Sequence, residues 1–147
     1  MMVRKILFGS IIIFFTLTLI ILSCKKEDSN PVPNKDINIY INPNSTQYLE
    51  LNTVGGWVYL TDGVGGKGLL VYRLSNEQFL AFDRTCTYDP NEACAIIEME
   101  SSGLNAIDSC CGSRFLIIDG SVTTGPATVS LKQYKTTYDG NMLHIYD

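Results

Sequence analysis

The chain has 147 residues, with 15 acidic and 11 basic side chains and a formal net charge of −4 at pH 7. So weakly acidic a body offers no basic track for a polyanion, which argues against nucleic acid and against anionic lipid surfaces as partners. Five cysteines and one histidine against 46% hydrophobic residues leave material for one ordinary core and almost none for imidazole chemistry.

In chain order, Arg4 and Lys5 precede an apolar run from Ile6 to Leu22, about 17 residues, at the lower edge of what spans a bilayer. The basic start, the apolar stretch and the small residues at its end read as a cleaved secretory signal over residues 1–23. Ile21-Leu22-Ser23-Cys24 resembles a bacterial lipobox, which makes Cys24 the expected lipidated residue and its lipid the expected link to the membrane. Lys25-Lys26-Glu27-Asp28 is similar to the surface-export tag of Bacteroidetes lipoproteins. The expected location is the cell envelope, as an outer-membrane lipoprotein facing the periplasm or the surface. Arg4-Lys5 is not a twin arginine, and the general secretory route threads chains unfolded, without a cofactor inserted beforehand. Of the 147 residues, loss of the first 23 leaves 124; Arg4 and Lys5 go with no acid, so the charge becomes −6. Asp28 to Asp36 is polar and holds two prolines, so residues 24–36 are expected to be a lipidated Cys and flexible tether. One domain, 37–147, follows.

That domain reads as β throughout. Ile37, Ile39 and Ile41 alternate with Asn38 and Tyr40, as in a half-buried strand. Tyr48–Leu51 and Trp57–Leu60 are β-rich runs parted by Gly55-Gly56. Leu69–Leu74 is a near-continuous apolar run suited to a central strand, and Gln78–Asp83 returns as the other arm of a hairpin. Ala95–Met99, Phe115–Ile118, Tyr134–Tyr138 and Leu143–Tyr146 complete the set, with Asp139-Gly140-Asn141 as a turn. No window outside the signal carries a 3.6-residue period long enough for a helix. Short strands with frequent turn signals predict an all-β sandwich or barrel. Gly63-Val64-Gly65-Gly66-Lys67-Gly68 lacks the Ser/Thr and helix of a phosphate-binding loop and reads as a flexible hairpin tip. His144, the only histidine, lies in a strand of alternating character, so no Ser-His-Asp or Cys-His pair can be built. No catalytic constellation is expected.

The most specific stretch is Cys110-Cys111-Gly112-Ser113-Arg114-Phe115, followed by a strand, Asp119-Gly120, and then Gly125-Pro126-Ala127-Thr128. It resembles the second half of a Rieske iron–sulfur domain. There a Cys-x-x-His-Gly-Ser-x-Phe/Tyr loop supplies two cluster ligands and a Gly-Pro-Ala loop folds over the cluster. The resemblance runs from about Trp57 to Tyr146, is strongest from Cys110 to Leu131, and implies stacked antiparallel sheets. It also implies that Ser113 is the hydroxyl that hydrogen-bonds a cluster sulfide and that Gly125 and Pro126 belong to the covering loop. Phe115 stands where high-potential members carry a tyrosine. The ligand positions depart from the pattern. Asp108 stands for a Cys and Cys111 for a His; in the first loop Cys86 keeps its Cys and Tyr88 stands for the other His.

Setting Cys24 aside, four cysteines remain, and they allow three pairings. The resemblance implies Cys94–Cys110 as the disulfide that clamps the two loops, closing about 16 residues and stabilising by about 3 kcal/mol in the loop-entropy model. Cys86 and Cys111 are then expected to face one pocket and to close a second disulfide, provided their Cα atoms come within about 7 Å. A Rieske centre needs two thiolates on one iron and two imidazoles on the other, and neither loop holds a histidine. The expectation is therefore a lipid-anchored Rieske-like domain without a cluster, a binding or structural module with an envelope protein as partner. The alternative is an electron carrier whose modified [2Fe–2S] cluster is held by Cys86, Tyr88, Asp108 and Cys111. Zinc on Cys86, Cys94, Cys110 and Cys111 is opposed by the adjacency of Cys110 and Cys111. A redox-active disulfide has no Cys-x-x-Cys motif behind it. Tyr40, Tyr48, Trp57, Tyr59, Tyr72, Tyr134, Tyr138 and Tyr146 are expected to be shared between core and rim rather than gathered on one exposed binding face.

Overall fold

The computed structural model describes residues 30–61 and 64–147. The expected signal, Cys24 and the export tag lie outside these residues. Among the described residues no helix is long and apolar enough to cross a membrane.

The strands are β1 (Asn38–Ile41), β2 (Trp57–Leu60), β3 (Leu69–Arg73), β4 (Phe79–Asp83), β5 (Ile97–Met99), β6 (Asn105–Asp108), β7 (Arg114–Leu116), β8 (Val122–Thr124), β9 (Gln133–Tyr138) and β10 (Leu143–Tyr146). They form two antiparallel sheets, β1-β10-β9-β4-β3-β2 and β5-β6-β7-β8. All five residues of β3 are buried, which is why Leu69 to Tyr72 run without alternation before Arg73. Leu70 and Tyr72 point with Phe82 toward Ile97, Ala106 and Phe115 of the small sheet, forming the core between the sheets. Leu69 and Val71 point the other way, into a second cluster with Phe79, Ala81, Ile41, Leu143 and Ile145. The smaller sheet thus stands on one face of the larger and holds the loops described below.

Three local expectations are corrected and two strands are added. Thr46–Asn52 is a 3-10 helix rather than a strand at Tyr48–Leu51. The run does not alternate in burial: Leu51 is buried and its carbonyl accepts from Arg73 Nη1 at 2.8 Å, while Leu49 is exposed. The glycine-rich hairpin tip is anchored where it meets β4. Gly65 is buried, and Gly66 N–H donates to the Asp83 carboxylate at 2.7 Å. A Cβ on Gly66 would stand 2.4 Å from Thr85 Oγ1, so glycine is required by close approach. Residues 30–34, part of the expected tether, are held to the domain. Val32 is buried, Asn30 Nδ2 donates to Ser130 O, and Lys132 Nζ donates to Pro33 O and Asn34 Oδ1. Burial of one apolar side chain and these bonds strap residues 30–34 to the domain. Finally, β6 and β8 had no strand expectation. Asn105-Ala106-Ile107-Asp108 buries only alternate residues and is held by pairing with β5 and β7 on either side.

The tyrosines divide as expected between core and rim. Tyr72 and Tyr134 are buried, whereas Tyr40 and Tyr59 are exposed at opposite ends of the six-stranded sheet. His144 is a strand residue, stacked between Tyr40 at 4.1 Å and Tyr146 at 4.6 Å, with Nε2 2.8 Å from Asn38 Oδ1. Asp139 Oδ1 accepts from the N–H groups of Asn141 and Met142, closing the expected turn.

Candidate functional site

Two loops meet at the end of the small sheet, one after β4 and one between β6 and β7. The first is set by Asp83, fully buried at the end of β4. Its carboxylate accepts from Gly66 N–H, Thr85 N–H at 2.8 Å and the Tyr134 hydroxyl at 3.0 Å. Burial and the Asp83 charge push the Tyr134 hydroxyl above its ordinary range, so it stays a donor. Beyond Asp83, Cys86 N–H donates to Ala95 O at 3.0 Å, and Thr87 Oγ1 donates to Val129 O at 2.6 Å. Lys67 Nζ donates to the carbonyls of Glu92 and Ala95 from the far side. Cys86 is thereby fixed with its side chain in the core.

The second loop is a tight turn. Gly112, at φ +79°, returns its N–H to Asp108 O at 2.7 Å, and Asp108 N–H reaches Ser113 O at 2.9 Å. Asp108 Oδ1 caps the turn by accepting from Cys110 N–H at 2.8 Å. This leaves Oδ2, on a side chain only 1% exposed, facing the Cys111 thiol at 3.1 Å. Ser113 Oγ lies 3.0 Å from the same sulfur and accepts Ala127 N–H from the covering loop at 2.9 Å. The peptide bond between Gly125 and Pro126 in that loop is cis. Phe115 is fully buried in the inter-sheet core.

Cys94 and Cys110 form the clamp implied by the motif, with Cα atoms 5.6 Å apart and the residues 16 positions apart in sequence. Cys86 and Cys111 do converge, but as free cysteines, with sulfurs 3.8 Å apart. The second disulfide is thus not formed in this structure: the sulfurs are in van der Waals contact and the Cys111 thiol is turned to Asp108 and Ser113. Burial, then the Asp108 carboxylate, push the Cys86 thiol up to about 12, opposed in part by Tyr88 N–H. Cys86, Asp108 and Cys111 place one ligand atom each within 4.8 Å of one another. Tyr88, the remaining expected ligand position, is 55% exposed and contributes its backbone rather than its phenol. Cys94 and Cys110, being bonded to each other, stand outside the group.

A [2Fe–2S] cluster does not fit these residues. Sulfurs 3.8 Å apart suit two thiolates on one tetrahedral ion, which leaves a second iron only the Asp108 carboxylate from this group. The group supplies three ligand atoms rather than four, none of them an imidazole nitrogen, and one is a hard carboxylate oxygen. Sequence reasoning found these three residues but missed Asp83 and Lys67, which position the first loop. The one sequence signal for Asp83 is an acid closing an otherwise apolar strand.

Sheets, loops, clamp and covering turn together define a Rieske-like fold. The plasma-membrane Rieske protein PetC3 of the cyanobacterium Synechocystis PCC 6803 is similar in structure at a TM-score of 0.54 and 23% identity. The match covers 73% of this chain and 99% of that one. A weaker likeness joins it to the NADH-dependent nitrite reductase small subunit of Mycobacterium tuberculosis, with a TM-score of 0.46 and 14% identity over 78% of this chain and 97% of that one. No family model matches the chain, and no curated protein does.

Proposed function

We propose that this chain is a lipid-anchored cell-envelope protein whose Rieske-like domain works without a [2Fe–2S] cluster, as a binding or structural module. One observation carries the reading: the ligand group at the cluster position is Cys86, Asp108 and Cys111, three donor atoms with no imidazole among them, and its two thiols stand close enough to pair. What the family spends on redox chemistry is here a staple. Cys94–Cys110 ties the loops on the outside. Under oxidising conditions Cys86 and Cys111 close the second bond inside by thiol–disulfide exchange. The two thiols give up two protons and two electrons to an incoming disulfide, which departs as two thiols. A groove of about 740 Å³ along edge strand β2, lined by Val54, Gly55, Gly56, Trp57, Val58 and Tyr59 among others, offers an envelope protein partly apolar contact area.

The test is the full-length chain purified in detergent from an oxidising compartment, examined for iron, acid-labile sulfide and visible absorption, with thiol counting before and after reduction. The reading expects no iron, no visible bands, and no alkylation of Cys86 or Cys111 until reductant is added. Iron with labile sulfide would overturn it in favour of an electron carrier with unusual ligands.

A further inference from the structure

We propose that Cys86, Asp108 and Cys111, while the two thiols are reduced, form a site for a single zinc-class metal ion with one coordination position open. The proposal rests on the cluster-free reading above and puts a mononuclear ion where the cluster does not fit.

The geometry is specific. For a tetrahedral ion with metal–sulfur bonds of about 2.3 Å, two bound sulfurs stand about 3.8 Å apart. The Cys86 and Cys111 sulfurs stand 3.8 Å apart. A carboxylate oxygen at about 2.1 Å from the same ion would lie about 3.6 Å from each sulfur. Asp108 Oδ2 is 3.1 Å from the Cys111 sulfur, so exchanging that hydrogen bond for a shared ion needs an opening of about half an ångström.

The charge balance points the same way. Asp108 is 1% exposed, and among the described residues no cation forms an ion pair with it. A carboxylate in such a place is costly unless a positive charge meets it. Two thiols beside it can each release a proton to an arriving divalent ion, which then takes two thiolates and a carboxylate.

The surroundings support the ligands. Ala127 N–H donates to Ser113 Oγ, which leaves the Ser113 hydroxyl hydrogen free to turn toward the Cys111 sulfur at 3.0 Å once that sulfur is a thiolate. Asp108 is held by Cys110 N–H on its other oxygen, so its approach is fixed from behind. Cys86 is fully buried and Cys111 partly exposed, so the ion would enter on the Cys111 side and keep its open position toward solvent. The ion and the Cys86–Cys111 disulfide exclude each other, so the site loads only in the reduced pair.

The experiment uses the full-length chain in detergent, fully reduced, and zinc ion in competition with a chromophoric chelator. One zinc per chain is expected. Cobalt ion in its place should give sulfur-to-metal charge-transfer absorption and the visible bands of a tetrahedral centre. Zinc should shield Cys86 and Cys111 from alkylation while Cys94 and Cys110, then also reduced, still react. C86S and the isosteric D108N should each weaken zinc binding by more than S113A does, and S113A by about 10- to 100-fold. Absence of zinc binding, unchanged affinity in both ligand variants, or shielding of Cys94 and Cys110 instead would overturn the proposal. These results are separable from failure of the cluster-free reading, which iron and labile sulfide would reveal in the chain as isolated.

Discussion

The same two loops carry two cysteine pairs, and the pairs differ in burial, in bonding and in surroundings. Cys94 and Cys110 are exposed and joined, and it is the backbone N–H of Cys110 that reaches the Asp108 carboxylate. Cys86 and Cys111 lie inward, in contact but unjoined, with a buried Asp108 beside them. Position relative to the core separates the tasks. A bond at the rim restrains the unfolded chain and asks nothing of the pocket. A thiol pair against a buried carboxylate has a costly charge nearby and a reason to respond to oxidant or metal.

If that division is right, breaking the rim pair costs most. C94S/C110S should lower unfolding free energy by about 3 kcal/mol, read from chemical denaturation of the otherwise intact chain. A loss under about 1 kcal/mol would mean that the strands and loops hold their register without the clamp.

The inner pair should declare itself through pH instead. With Cys86 and Cys111 reduced, the Cys86 thiol, raised by burial from 9.0 to about 12, keeps its proton in the fold at pH values where the unfolded chain loses it. Its contribution to stability is therefore complete below about pH 9 and is lost as pH climbs toward about 12. Tyr134, whose hydroxyl is raised from 10.0, adds to the decline only at higher pH. Cys86→Ala should flatten the denaturation midpoint between about pH 9 and 10 and leave the decline above it. An unchanged slope would place the cause elsewhere.

Reactivity gives a finer contrast within the inner pair. With both thiols reduced, iodoacetamide at mildly alkaline pH should label Cys111 well before Cys86, because Cys86 is buried and its thiol is pushed up to about 12. Peptide mass mapping over time decides, and equal rates would deny the burial of Cys86.

The smallest effect is expected at Ser113. S113A removes the acceptor of Ala127 N–H and should cost about 1 kcal/mol, mostly through the covering loop. Hydrogen exchange at Ala127 would localise the loss.

Much of this frame was legible in the sequence where local pattern and tertiary demand agree. Trp57–Leu60 and Leu143–Tyr146 are strands to the residue, and the fully buried β3 was announced by its near-continuous apolar run. Tyr48–Leu51 misled because its Leu-Glu-Leu alternation is not matched by burial: Leu51 is seated while Leu49 is exposed. Asn105–Asp108 was silent because its neighbours, more than its own side chains, make it a strand. At the site, the motif implied Cys94–Cys110 and brought Cys86, Asp108 and Cys111 together. It did not foretell that Tyr88 turns outward, since a single residue's direction in a loop follows from packing, not from spacing. Nor could it reveal Asp83, whose partners Gly66, Thr85 and Tyr134 come from three separate stretches.

The strap at residues 30–34 bears on reach. An extended chain covers at most about 3.5 Å per residue, so a tether running from Cys24 to Asp36 would let the domain roam about 40 Å from its anchor. With Val32 seated and Lys132 holding Pro33 and Asn34, only the six steps from Cys24 to Asn30 remain outside the strap. On the lipid-anchored reading the domain is moored within about 20 Å of the bilayer surface, a short mooring that favours neighbours in the same membrane over partners farther away.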